Sequence, residues 1–163
     1  MKNFKLNEKD ILSNQDWTFP TTTYYGPGRF NEIAKFCEEF DIKNPLIVTD
    51  SGSKDLPFIK KLIALLSKNN IKSDLFYNIS PNPRDDEISK GCDQFKNGSH
   101  DSIIAIGGGS AMDGGKSICL TVNSETPLWD FEFEQPVPKI TKENAFPKII
   151  TIPTTAGTGA ETE

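Results

Sequence analysis

The chain contains one histidine, and its three cysteines, Cys37, Cys92 and Cys119, lie far apart. A single histidine excludes a multi-histidine metal site, and odd, widely spaced cysteines argue against a disulfide framework or a zinc site. The cysteines read instead as small buried hydrophobes. His100 stands between Ser99 and Asp101, where a surface loop is expected, and titration near neutral pH is its only catalytic attraction. No apolar run approaches the ~20 residues of a membrane-spanning helix. The amino end, Met1-Lys2-Asn3-Phe4-Lys5-Leu6, has lysines but no apolar stretch behind them. No signal peptide is therefore visible, and a cytoplasmic location is expected. A basic footprint is missing as well: the net charge is −5, which argues against nucleic acid as a partner.

What is there suits one compact domain. The 163 residues, 36% hydrophobic and 25% charged, have the balance of an ordinary globular protein. Trp17–Tyr25 is aromatic and β-branched, a strand interrupted or placed at an edge by Pro20, and Gly26-Pro27-Gly28 turns the chain. A helix is expected from Phe30 to Phe40, with Phe30, Ile33, Ala34, Cys37 and Phe40 inward. A second runs from Asp55 to Asn69, with Ile59, Leu62, Ile63 and Leu66 inward. A third runs from Asp85 to Lys96, with Ile88, Cys92 and Phe95 inward. Leu46-Ile47-Val48 and Ser102–Ile106 are uninterrupted apolar runs, the mark of strands buried on both faces. Asp74–Tyr77 and Lys148–Ile152 complete the strands, and a last helix is expected over Ala111–Thr121. Asn123–Phe146 reads as a long loop. This alternation predicts an α/β fold of Rossmann-like type, a parallel sheet with helices on both faces. In such folds the ligand lies beyond the carboxyl ends of the strands.

Four loops follow strands. In Ile106-Gly107-Gly108-Gly109-Ser110-Ala111-Met112-Asp113-Gly114-Gly115-Lys116-Ser117 the chain leaves a buried strand and enters a helix. Glycines let backbone N–H groups approach a ligand, and a helix N-terminus attracts phosphate; the alternative is a tight turn without a ligand. Ser110 is a candidate helix cap and phosphate donor. Asp113, three residues on, is either a site residue or its capping-box partner. The dinucleotide fingerprint lacks its third glycine, since position 112 is Met. The nucleotide-triphosphatase loop misses by one residue at Ser110. Pro153-Thr154-Thr155-Ala156-Gly157-Thr158-Gly159-Ala160-Glu161 either lines a polar cofactor or forms a capped turn. Asp50, ending Leu46–Asp50, is a candidate ribose acceptor or a turn residue. Asn82, in Ser80-Pro81-Asn82-Pro83, is a candidate ligand contact or a turn residue.

Jointly, the glycine segment, the Thr/Gly segment, Tyr25-Gly26-Pro27-Gly28, Val48-Thr49-Asp50 and Pro81-Asn82-Pro83 resemble the iron-containing (group III) alcohol dehydrogenases, from Trp17 to the end of the chain. The resemblance implies the NAD(P)-binding domain, residues 1–163 and incomplete at its C-terminal end, of a two-domain oxidoreductase interconverting an alcohol and an aldehyde or ketone. It implies that Gly108, Gly109 and Ser110 hold the pyrophosphate and that Asp113 lies near the nicotinamide. Thr154, Thr155 and Thr158 would contact the cofactor. Asn82 would lie by the adenine or ribose, and Asp50 would meet the adenosine ribose and favour NAD over NADP. The family's Fe²⁺, sometimes Zn²⁺, is held by a helical domain that follows, so this chain is expected to carry no metal ligands or catalytic residue and to be inactive by itself. Ala160 stands where many members have Ser.

Three alternatives stand beside this reading. One is a dehydroquinate-synthase-like or polyol-phosphate enzyme domain, disfavoured by Thr154–Gly159. Another is a non-catalytic nucleotide-binding module or an inert fragment. The last is a phosphate-loop kinase or triphosphatase. No membrane partner is expected. A homo-oligomer is expected, with Trp17–Tyr25 as the candidate contact, because an edge strand pairs readily with another chain.

Overall fold

The computed structural model describes residues 15–17, 21–132, 134–136, 138–143 and 145–160. Four parallel strands form the main sheet: β3 (Pro45–Asp50), β4 (Asp74–Ile79), β5 (Ser102–Gly107) and β6 (Lys148–Pro153), in the order β4-β3-β5-β6. Two short strands, β1 (Gln15–Trp17) and β2 (Thr23–Tyr25), pair antiparallel as a separate ribbon. The single interrupted strand expected over Trp17–Tyr25 is thus corrected to two paired strands. Pro20 lies outside the described residues.

The central strands are buried because both faces are covered. Leu46, Val48, Ile103 and Ala105 face one layer, with Ile88 and Phe95 of α3 (Asp85–Asn97) and Ile118 and Cys119 of α4 (Gly109–Thr121). Ile47, Ile104 and Ile106 face the other, with Ile33 and Cys37 of α1 (Ile33–Glu39) and Ile59, Leu62 and Leu66 of α2 (Pro57–Lys68). Leu46 is opposite Ile103 and Ile47 opposite Ile104, so the period of two carries like-facing residues side by side. The α/β fold with helices on both faces is therefore as expected.

Some inner faces differ from the periodicity. In α1 it is Phe36 that is buried, while Phe40 is exposed, because a 3₁₀ turn at Arg29–Glu32 precedes the α-helix and shifts its phase. In α2, Ile63 is exposed. A register irregularity sets Val48 opposite Phe76 but Asp50 opposite Ile79. The extra residue on β4 lets Phe76 and Ile79, three apart, pack in the same layer.

His100 is buried, not on a surface loop. Ser99 takes φ +51° beyond the end of α3 and folds the ring back against Phe95, centroids 5.9 Å apart. Its Nδ1 is 3.0 Å from the Asn44 carbonyl and its Nε2 3.4 Å from the Asp74 carboxylate. This is the amino end of the strands, opposite the carboxyl end from which the candidate loops issue.

Candidate functional site

The chain visits β3, steps outward to β4, then returns to β5 on the other side of β3 and continues to β6. The direction of winding reverses between β3 and β5, and a crevice opens at such a switch point beyond the carboxyl ends. Those ends are Asp50 and Gly107, and every candidate loop issues from the same end of the sheet.

Gly107 closes β5 with φ +147°, a conformation that side chains resist. A Cβ there would stand 2.6 Å from the Ala111 Cβ and 3.2 Å from an Asp50 carboxylate oxygen. The two strand ends therefore meet across this residue. Gly108 is the N-cap of α4, and Met112 N–H donates to its carbonyl at 3.1 Å. The helix begins at Gly109, two residues earlier than expected. Ser110 lies inside its first turn and is not the cap, which also removes the Ser110–Asp113 capping box. The dipole of α4 is directed at the crevice through Gly109, Ser110 and Ala111. Gly115 brings the helix onto the sheet: a Cβ there would stand 2.4 Å from that of Ala105.

The loop after β6 lies over the glycine turn. Thr154 N–H donates to the Gly107 carbonyl at 2.8 Å. Thr155 and Thr158 take the space above Gly108 and Gly109, where added Cβ atoms would come within 3.4 Å of the Thr155 hydroxyl and 3.2 Å of the Thr158 Cβ. The smallness of these glycines serves loop packing as well as any ligand. Lys116 Nζ donates to the Ala160 carbonyl, anchoring the far end of the loop. Lys116 is thus spent on this chain's own backbone, unlike the lysine of a phosphate loop.

The Asp50 carboxylate accepts from Gly52 N–H at 3.0 Å and from the Ser53 hydroxyl at 2.7 Å. It forms the turn after β3 and stands beside Gly107 at the end of β5. Asn82 is an exposed turn residue with φ +59°, beyond the end of β4. Asp113 is half-buried one turn into α4. The structure thus gathers Asp50, Gly108, Gly109, Ser110, Thr154, Thr155 and Thr158 around the β3/β5 ends, with Asn82 on the neighbouring β4 loop.

Sequence reasoning passed over Glu87. It sits in the first turn of α3, buried, and accepts from the Ser80 and Arg84 N–H groups, each at 3.2 Å, and from the Ser80 hydroxyl at 3.0 Å. Burial pushes its carboxyl pKa up, but these hydrogen bonds and the Arg84 charge outweigh that and hold it below the usual value. The available signal was a glutamate three residues after the loop's end, the capping-box spacing.

Among known proteins, the model of the family "Iron-containing alcohol dehydrogenase" matches residues 20–163. The 1,3-propanediol dehydrogenase of Klebsiella pneumoniae is 29% identical over 90% of this chain and 37% of its own length. Alcohol dehydrogenase 4 of Schizosaccharomyces pombe is 35% identical over 87% of this chain and 32% of its own. The crystal structure of sulfoacetaldehyde reductase from Bifidobacterium kashiwanohense in complex with NAD⁺ superposes with a TM-score of 0.71 at 28% identity, covering 83% of this chain and 35% of that one. The chain thus spans less than two-fifths of the length of these relatives.

Proposed function

This chain belongs to the iron-containing alcohol dehydrogenase family, and from that premise we propose that residues 1–163 are the NAD(P)-binding domain of a cytoplasmic enzyme interconverting an alcohol with an aldehyde or ketone. The observation that carries this reading is the glycine turn at the end of β5, which aims the N-terminus of α4 into the crevice beside Asp50. Bound NAD would supply the hydride chemistry.

The residues present fit such a group. Backbone N–H groups of Gly109 and Ser110, with the Ser110 hydroxyl, receive the pyrophosphate at Gly108–Ser110. Asp50 accepts from the ribose hydroxyls and repels a 2′-phosphate. Asn82 borders the adenosine, Thr154, Thr155 and Thr158 cover the cofactor, and Asp113 faces its nicotinamide side. An iron centre is a different matter. Among the described residues no three His, Cys, Asp or Glu gather as a metal site. These residues do not fit iron, and the isolated chain is expected to bind cofactor without turning over alcohol.

The test is titration of NADH, and separately NADPH, into the purified chain in a chelator, followed by nicotinamide fluorescence. Saturable NADH binding is expected, with NADPH roughly tenfold weaker or more. Equal binding would remove the role of Asp50 and leave the cofactor fold. Binding of neither would leave the inert fragment, and magnesium-dependent ATP binding would favour the kinase reading.

Self-association belongs to the same proposal. Among the described residues β6 pairs only with β5, and beside it an apolar groove of about 610 Å³ is lined by Tyr24, Phe30, Phe36, Ile150 and Ile152. An open edge next to apolar surface invites a second copy. Light scattering is expected to give a mass above 18.1 kDa that rises with concentration, and Ile150→Lys should lower it. A constant monomer mass at all concentrations would remove the oligomer.

A further inference from the structure

The loop between β4 and α3, Ser80–Arg84, is held in an unusual way. Pro81 and Pro83 have no N–H to donate, and between them Asn82 takes φ +59°. The N–H groups at the two ends, Ser80 and Arg84, both go to Glu87, as does the Ser80 hydroxyl. Asn82 therefore carries the loop's remaining backbone donor as well as its side-chain amide. The Glu87 side chain is 7% exposed, and its second oxygen lies 3.2 Å from an Arg84 guanidinium nitrogen. The loop also abuts the end of β3: Ser51 N–H donates to the Ile79 carbonyl at 3.0 Å, which joins the residue after Asp50 to the residue before Ser80. A small polar hollow of about 260 Å³, lined by Ser51, Asn78, Ser80, Arg84, Glu87 and Lys90, lies between them.

We propose that Glu87 is a positioning residue for the adenosine half of the cofactor: by tying both ends of Ser80–Arg84, it presets Asn82 beside Asp50 before anything binds. This rests on the cofactor reading above. Three donors converge on one buried carboxylate, so its loss removes a tie at each loop end while the glycine turn, built from β5 and α4, stays in place. The order already present in the loop is order that binding need not impose, and it appears as affinity.

The experiment is calorimetric titration of the purified chain with ADP-ribose and with inorganic pyrophosphate, in wild type, Glu87→Ala and Ser80→Ala. Glu87→Ala, which removes the acceptor that all three donors share, should weaken ADP-ribose about tenfold, as loss of an outer supporting contact does, and leave pyrophosphate within about twofold. Ser80→Ala, which keeps the carboxylate and removes one donor, should weaken ADP-ribose roughly threefold, and it decides the matter if Glu87→Ala does not fold. Equal loss for both ligands would make Glu87 merely structural and overturn the proposal. Unchanged ADP-ribose affinity in the variants would overturn it while leaving the cofactor reading intact. If wild type takes up no ADP-ribose, the cofactor reading falls, and this inference with it.

Discussion

Gly107→Ala should lower the melting temperature by about 10 °C, with thermal unfolding followed by circular dichroism. Two effects add at this residue. Its φ of +147° lies where a side chain costs about 1–3 kcal/mol. The new methyl would also stand 2.6 Å from the Ala111 Cβ, so α4 must move or the strand end must twist, adding about 1–3 kcal/mol of overpacking. Neither neighbour yields easily, since Ala111 is fully buried in the first turn of α4 and Asp50 is held by Gly52 and Ser53. Against a total stability of about 5–15 kcal/mol, this is a large fraction. Gly157→Ala separates the two effects. Its φ is +83° but a Cβ there meets nothing within 4 Å, so only backbone strain of about 1 kcal/mol remains. If Gly107→Ala melts within 2–3 °C of wild type, which is about 1 kcal/mol, the tight meeting of β3, β5 and α4 at this point is wrong.

Asp50→Asn should raise NADPH affinity by about ten- to a hundredfold, measured by the same fluorescence titration, with NADH changed by roughly threefold or less. A carboxylate ~5 Å from a phosphate charge in a half-exposed cleft opposes it by about 1–3 kcal/mol, depending on the effective dielectric. Asparagine removes that charge without changing size. Its Oδ1 still accepts from Gly52 N–H, and the Ser53 hydroxyl can turn from donor to acceptor towards the new amide, so the turn after β3 survives. A truncation such as Asp50→Ala would mix loss of charge with loss of the turn and is the poorer test. Should NADPH affinity stay unchanged, Asp50 acts only through Gly52 and Ser53, and cofactor choice is made elsewhere.

The two substitutions probe one junction from opposite sides. Gly107 and Asp50 end neighbouring strands, and each limits what the other can be. A larger residue at 107 pushes on the Asp50 carboxylate, and a change at 50 alters the wall against which the glycine turn is set. Gly107→Ala is therefore expected to weaken NADH binding as well as stability, whereas Asp50→Asn should change selectivity with little effect on melting.

Much of this protein is written locally. Ile103, Ile104 and Ile106 announce a strand buried on both faces, because apolar side chains on successive residues must point to opposite sides of a sheet. The spacing of Ile59, Leu62 and Leu66 announces a helix with one inner stripe. The glycine segment from Gly107, between such a strand and a helix, marks a backbone approached closely, and with Thr154–Gly159 it carried the family resemblance. Local signals of this kind depend on residues a few positions apart, which share one element whatever the tertiary fold.

The tertiary structure alone decided what meets what. Strand order is set by long-range packing, so nothing near Asp50 states that it will face Gly107, 57 residues away. The bulge that turns Phe76 and Ile79 to one side, the 3₁₀ turn that exchanges Phe40 for Phe36, and the burial of His100 each follow from how elements pack. So does the seating of Thr155 and Thr158 above Gly108 and Gly109. Glu87 is the clearest instance. In sequence it is one acid among Asp85, Asp86 and Glu87 at a helix start. In the fold it alone of the three turns inward, because the first turn of α3 lies against the end of β4, where Ser80 and Arg84 present donors that only an inward carboxylate can satisfy.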